Sequence, residues 1–324
     1  MSKKRAVPAT DKAIAEAAKI LRGGGLVGFP TETVYGLGAD ARNSRAVAGI
    51  FSAKGRPLYN PLIVHVADRQ WAEEIAVFSA EAHRLAETFW PGPMTLVLPA
   101  RDSNRIADIA VAGLNTVALR VPRHPVACAL VREAECPIVA PSANRSGRVS
   151  ATQALHVAAD FGANVDIILD AGACQHGLES TIVAVLQGGL SILRKGAVTE
   201  GELEQCLGYC PGGGGELAAS KAPLAPGQLA SHYAPGAPVR LDVNYPNPGE
   251  AFLAFGKFTP HGPGLTVNLS PSGDLAEAAA NLFAALRELD RPGVSAIAVM
   301  PIPDHGLGAA INDRLRRAAA PRPP

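Results

Sequence analysis

Apolar residues recur along this 324-residue chain with two periods, and the switches between them outline its elements. Thr10 stands ahead of Ile14, Ala17, Ala18 and Leu21, an i, i+3, i+4, i+7 series that predicts an amphipathic helix closed by Gly23-Gly24-Gly25. Leu26 to Phe29 then reads as a buried strand. The alternation continues with helices near Ser44 to Ala53 and Glu81 to Phe89, and with strands at Leu62 to Val66, Thr95 to Leu98 and Thr116 to Val121. Further strands are predicted at Pro137 to Ala140, Asp166 to Leu169, Thr181 to Val185 and Leu190 to Arg194, with helices near His124 to Arg132 and Thr152 to Ala159 among them. The last two strands stand too close for a parallel crossover. They must turn as a hairpin about Gln187-Gly188-Gly189, which makes this α/β sheet mixed.

From Gly208 to Pro238 the periodicity fades, and 12 of 31 residues are Gly or Pro, the composition of a linker. Beyond it, strand-like runs at Ala251 to Phe255, Leu265 to Leu269 and Ser295 to Met300 alternate with helices at Leu275 to Leu289 and Leu307 to Ala319. A second, smaller α/β domain with a parallel sheet is predicted. The expected division is residues 11–207, a linker at 208–238, and residues 239–319.

Composition adds exclusions. With 48 % hydrophobic and 18 % charged residues the chain can bury a core in each domain, so disorder is excluded. A net charge of +1 argues against wrapping a long polyanion, so stable tRNA binding is not expected. No apolar run approaches the ~18 residues of a membrane helix. Lys3, Lys4 and Arg5 lead into Asp11, Lys12 and Glu16 rather than an apolar segment, and a cytoplasmic location is expected. The five cysteines have no C-x-x-C spacing and read as ordinary thiols.

Polar and special residues concentrate at strand ends, where open α/β sheets place ligands. Pro30-Thr31-Glu32-Thr33-Val34-Tyr35-Gly36-Leu37-Gly38 reads as a loop after the first strand. Its Gly36-x-Gly38-x-x-Ala41 fits a relaxed dinucleotide pattern, but a polar segment separates it from the strand and no helix opens on the second glycine. Lys54-Gly55-Arg56-Pro57 brings two cations to a helix end, either to complement its dipole or to hold a ligand. Alternation puts Leu62, Val64 and Val66 on one strand face and Ile63 and His65 on the other. Arg120 shares a face with Ala118 and Thr116, and a buried-sheet arginine needs an anion, from a protein carboxylate or from a substrate. Pro141-Ser142-Ala143-Asn144-Arg145-Ser146-Gly147 is a capping turn or a binding loop, and Glu179-Ser180-Thr181 and Arg194-Lys195-Gly196 flank the hairpin. A Walker loop, G-x-S-x-G and H-E-x-x-H are absent from the sequence. What remains suits an anionic nucleotide or amino acid held by position and charge.

Five blocks in order resemble the YrdC family of threonylcarbamoyl-AMP synthases: Pro30 to Leu37, Lys54 to Pro57 with Asn60-Pro61-Leu62, Pro141 to Asn144, Ser180-Thr181, and Arg194-Lys195-Gly196. Pro226-Gly227 with His232-Tyr233-Ala234-Pro235, and Ile311-Asn312-Asp313-Arg314-Leu315, resemble the linker and end of its long form. That form carries a Rossmann-like second domain. The family pattern has Met where Gln228 stands and Asn where Asp313 stands. The resemblance implies a twisted mixed sheet and the joining of ATP, L-threonine and bicarbonate into threonylcarbamoyl-adenylate and pyrophosphate. It assigns threonine to Thr33, His65, Arg120 and Ser180, and ATP to Arg56, Asn60, Thr116, Ser142, Asn144, Ser150, Arg194 and Tyr233. Lys54 and Arg56 become the catalytic cations, and Mg²⁺ accompanies ATP without a metal site in the protein. A flexible linker of ~30 residues spans about 30 Å, enough to fold back over the first domain, so its His232 to Pro235 segment is expected to act as a lid. The product would go to a downstream tRNA threonylcarbamoyl transferase complex. Two rivals are an RNA-binding module, disfavoured by the net charge and 5 % aromatics, and a hydrogenase-maturation enzyme, which normally has zinc-finger and acylphosphatase modules with no counterpart here.

Overall fold

The computed structural model describes residues 6–187, 189–213, 223–227, 231–257 and 264–321. Its first part runs β1 (Val7–Pro8), α1 (Asp11–Arg22), β2 (Val27–Phe29), β3 (Gly36–Asp40), α2 (Ser44–Lys54), β4 (Ile63–His65), α3 (Arg69–Ile75) and α4 (Ala80–Phe89). It continues through β5 (Met94–Pro99), β6 (Thr116–Arg120), α5 (Pro125–Ala134), β7 (Ile138–Val139), α6 (Ala154–Phe161) and β8 (Ile167–Asp170). Then come β9 (Thr181–Leu186), β10 (Gly189–Arg194), α7 (Glu200–Leu207) and the short β11 (Gly212–Gly213). The last part holds β12 (Val239–Arg240), β13 (Ala251–Ala254), β14 (Thr266–Asn268), α8 (Leu275–Leu289), β15 (Ile297–Val299) and α9 (Leu307–Ala319).

Local chemistry explains these elements. The Thr10 hydroxyl accepts the Ala13 N–H and starts α1. The buried face of α1, Ile14, Ala17, Ala18 and Leu21, shares one core with Val126, Leu130 and Val131 of α5. The large sheet has the order β1-β8-β2-β3-β7-β4-β6-β5-β9-β10-β11. It is mixed, as predicted: β9 and β10 pair antiparallel as the hairpin, whereas β4 and β6 pair parallel. The two faces of β4 separate as alternation requires, with Leu62, Val64 and Val66 in the main core and Ile63 in a small cluster with Val97, Ala118 and Ile182. The second sheet, β12-β15-β13-β14, is parallel throughout, again as predicted.

One expectation is corrected. The stretch Pro30 to Gly38 is not wholly a loop, because Gly36–Asp40 is β3, antiparallel to β2 with Phe29 opposite Gly36 and Val27 opposite Gly38. Glycine weakens a strand's sequence signal, yet here close approach demands it. A Cβ on Gly38 would lie 2.8 Å from the Phe29 ring. Helix α7 also carried a signal that periodicity missed, a capping box between Thr199 and Glu202.

Candidate active site

The site begins where β4 and β6 lie side by side, with His65 opposite Arg120. Arg120 donates from Nη2 to Glu32 Oε1 at 2.6 Å, from Nη1 to Thr33 Oγ1 at 2.9 Å and from Nε to the Gly92 carbonyl at 3.3 Å. Of the two anions left open for this arginine, the protein supplies one itself. The second oxygen of Glu32 accepts the Arg123 and His124 N–H groups at 3.1 and 3.3 Å, so the carboxylate is fixed on both sides. Burial pushes the Glu32 carboxyl up, but the charge and hydrogen bond of Arg120 outweigh it and hold the group at about 2. Burial, reinforced by Arg120, lowers His65 to about 3, so its imidazole is neutral. Its Nδ1 has no partner among the described residues.

A second group sits at the start of β9 and the end of β10. Ser180 Oγ lies 2.7 Å from Thr95 Oγ1, and Arg194 Nη2 donates to the Ser180 carbonyl at 2.9 Å and to its hydroxyl at 3.1 Å. The third comes from the end of α2, where Gly55 takes φ 61° and reverses the chain. Lys54 is buried there, and its Nζ donates to the Ser142 carbonyl at 2.6 Å and to that of Asn144. Burial and the neighbouring Arg56 drive the Lys54 ammonium well below its usual range. Arg56 donates to the Asn60 carbonyl at 3.1 Å and the Pro61 carbonyl at 2.9 Å, and burial, aided by Arg194, brings it to about 10.

These groups meet around a cavity of about 40 Å³. Of the expected residues, Thr33, Arg56, His65, Arg120, Ser142, Ser180, Arg194 and Tyr233 line it. Lys54, Asn60, Thr116, Asn144 and Ser150 do not. Lys54 and Asn144 stand behind Ser142 and brace its turn, Asn144 by donating from Nδ2 to the Arg145 and Arg148 carbonyls, each at 2.8 Å. Ser150 donates to Glu179 at 2.6 Å. The buried oxygens Asn60 Oδ1, Thr116 Oγ1, Asn144 Oδ1 and Thr152 Oγ1 have no partner among the described residues.

The linker segment forms the roof. The Pro226 carbonyl accepts from Arg194 at 3.3 Å, and the Ala234 N–H donates to the Gly147 carbonyl at 2.8 Å. Gly227, at φ +89°, lies so close that a Cβ there would stand 2.8 Å from Arg194 Cδ and 2.9 Å from the Tyr233 hydroxyl. Four wall or network residues escaped the sequence reading of the site: Glu32, Glu179, His232 and, behind them, Arg314. All four sit inside quoted motifs, but only the fold turns them inward. Among the described residues no group of three His, Cys, Asp or Glu could hold a metal. Nor is any helix among them long and apolar enough to cross a membrane.

A cavity walled by arginines and hydroxyls on a twisted mixed sheet defines an α/β domain whose site suits an anionic ligand held by position and charge. Comparison with known proteins narrows that class. A family model described as "Telomere recombination" (Sua5_yciO_yrdC) matches residues 19–196, and one described as "Threonylcarbamoyl-AMP synthase, C-terminal domain" matches residues 198–320. The chain is 42 % identical to the threonylcarbamoyl-AMP synthase of Pyrococcus abyssi, covering 94 % of each chain. It is 39 % identical to that of Bacillus subtilis, over 96 % of this chain and 94 % of the relative. The crystal structure of P. abyssi Sua5 complexed with L-threonine superposes with a TM-score of 0.87 at 37 % identity, covering 96 % of this chain and 95 % of that one. The chain belongs to the threonylcarbamoyl-AMP synthase family, in the form with the C-terminal domain.

Proposed function

We propose that this protein is an L-threonylcarbamoyladenylate synthase, a nucleotidyltransferase that makes threonylcarbamoyl-AMP and pyrophosphate from L-threonine, bicarbonate and ATP. The observation that carries the reading is the convergence of Arg56, Arg120 and Arg194 with Thr33, His65 and Ser180 on one cavity, in a chain whose full-length relatives bear that name. The threonine amine adds to bicarbonate with loss of water, giving a carbamate. A carbamate oxygen then attacks the α-phosphorus of ATP and pyrophosphate leaves, so no side-chain nucleophile is needed.

Each Nη of Arg120 carries two hydrogens and uses one on Glu32 or Thr33, so a second on each remains for a threonine carboxylate. Glu32 would keep the guanidinium oriented while Thr33, His65 and Ser180 complete the amino-acid pocket. The nucleotide falls to Arg56, Ser142, Arg194 and Tyr233, with the unpartnered oxygens of Asn60, Thr116 and Asn144 beside them and Ser150 acting next to Glu179. Lys54 binds the Ser142 and Asn144 carbonyls, so in this reading it serves catalysis by holding the turn that presents Ser142 to the phosphate or carbamate charge. A protein site for Mg²⁺ does not fit the wall, whose carboxylate Glu179 already serves Ser150 and Arg314; Mg²⁺ belongs with the triphosphate.

Residues 11–207 make up the catalytic domain in this reading, 239–319 the second, and 208–238 a linker that acts as lid. The described linker residues Pro226, Gly227, His232 and Tyr233 line the cavity, and in this reading they shift to admit ATP and close over it. The product suits a cytoplasmic tRNA threonylcarbamoyl transferase complex downstream, without stable tRNA binding here. The test is pyrophosphate release from ATP, with serine replacing threonine as comparison. Release that requires both threonine and bicarbonate, with threonylcarbamoyl-AMP identified by mass, is the expected result. Release indifferent to either substrate overturns the reading.

A further inference from the structure

Helix α9 carries a buried stripe of Ala310, Ile311, Leu315 and Ala318, and Arg314 stands in that stripe with no exposed surface. Replacing a buried ion pair with apolar side chains is often neutral or stabilising, so packing alone gives no reason for a guanidinium there. Its contacts lead elsewhere. Arg314 donates from Nε to Glu179 Oε2 at 2.8 Å and from Nη2 to the Lys195 carbonyl at 2.7 Å, next to Arg194 of the cavity wall. Nη1 donates to Asp313 at 2.6 Å. Its Cζ stands 4.9 Å from the centroid of the Tyr233 ring. That ring also stacks on Phe283 of α8, centroids 5.6 Å apart with planes 25° from parallel. Tyr233 holds φ +60°, a left-handed conformation that a side chain of this size adopts only when its surroundings impose it.

We propose that Arg314 is a positioning residue of the active site: from the second domain it fixes the Tyr233 ring where the nucleotide meets it and holds the Glu179 carboxylate in the wall beside it. The proposal deepens the reading above and rests on Tyr233 as an ATP contact. One guanidinium ties together an acid of the β9 approach, the backbone after β10 and the roof tyrosine. The second domain is thereby a working part of the nucleotide site.

Calorimetry of ATP and of threonine, each alone, on the full-length chain tests it, with melting curves setting a temperature at which every variant is folded. Arg314→Lys keeps the charge but loses the planar fork over the ring. It is expected to weaken ATP roughly tenfold, the scale of one desolvated cation–π contact, and to leave threonine within about twofold. Tyr233→Ala should weaken ATP as well, and the double variant should bind no worse than the weaker single, because both changes remove one arrangement. Should Arg314→Lys not fold, Glu179→Gln with Arg314→Gln, compared with Glu179→Gln alone, carries the same test without an unpaired charge. Unchanged ATP affinity in a folded Arg314→Lys, with only a lower melting temperature, overturns the proposal, as do losses that multiply in the double variant. If Tyr233→Ala itself binds ATP normally, the failure lies in the Tyr233 assignment on which the proposal stands.

Discussion

Arg120 holds a carboxylate of its own protein before any substrate arrives, which changes what a substitution there reports. Arg120→Ala removes a charge-assisted bond to threonine worth ~1.5 to 3 kcal/mol, so threonine affinity should fall roughly 10- to 150-fold with ATP little affected. It also leaves Glu32 buried without its partner, and breaking one side of such a pair costs about 3 to 5 kcal/mol. Binding must therefore be measured below the lowered melting temperature; unchanged threonine affinity in folded protein would remove Arg120 from the pocket. Glu32 makes a separate prediction. Its folded value near 2 lies below its ordinary 4.5, so its stabilisation is full above pH 4.5 and is lost as pH falls toward 2. Acid titration of Glu32→Gln should show a shallower loss of stability across that window than the parent. Equal slopes would mean that the ion pair contributes nothing.

At the level of elements, the end of α2 is more than a place where cations answer a helix dipole. Exposed, Lys54 would contribute about 0.3 to 1 kcal/mol to stability. Buried, and bound to the Ser142 and Asn144 carbonyls, it fastens α2 to the turn that presents Ser142 to the cavity. Each charge-assisted bond is worth ~1.5 to 3 kcal/mol, so losing both in Lys54→Met should lower the melting temperature by roughly 6 to 24 °C as well as depress turnover. A variant with normal melting and lost turnover would assign Lys54 to the ligand alone. One with normal rate and melting would return it to the dipole.

Across the whole molecule, the second core is built from both parts of the chain: Val34, Val149 and Leu178 pack in one cluster with Leu282 and Phe283 of α8. Arg287 of α8 adds a two-pronged pair to Asp160, at 2.7 and 3.1 Å. Truncation after Leu207 should leave a first domain that folds on its own large core, melts lower and loses most synthesis activity, because Glu179 loses Arg314 and the cavity loses its roof. Full activity in the fragment would make the second domain dispensable to the chemistry. A pH prediction also belongs at this scale. Burial lowers His65 and His232 to about 3 and His156 to about 4, so all three stay neutral in the folded chain and take up protons on unfolding below 6.5. Stability present above pH 6.5 is lost as pH falls through these values, and the melting temperature should already drop between pH 7 and pH 5. A flat profile there would contradict the burial of these imidazoles.

The sequence by itself determined the elements and their faces, because periodicity and caps are local: Ile14, Ala17, Ala18 and Leu21 make α1, and the spacing after Val185 forces a hairpin. It also brought the right chemistry to strand ends, in motifs specific enough to resemble one family. Only the tertiary structure decided which side chains meet. Arg120 and Glu32 are 88 residues apart, Arg314 and Glu179 are 135 apart, and no local pattern records such a pairing. Composition described the Pro226 to Ala234 region as a tether, since glycine and proline obscure periodicity. Its described residues instead pack as a roof, because Gly227 permits an approach that a Cβ would block and because Phe283 and Arg314, folded against it from the second domain, hold the Tyr233 ring in place.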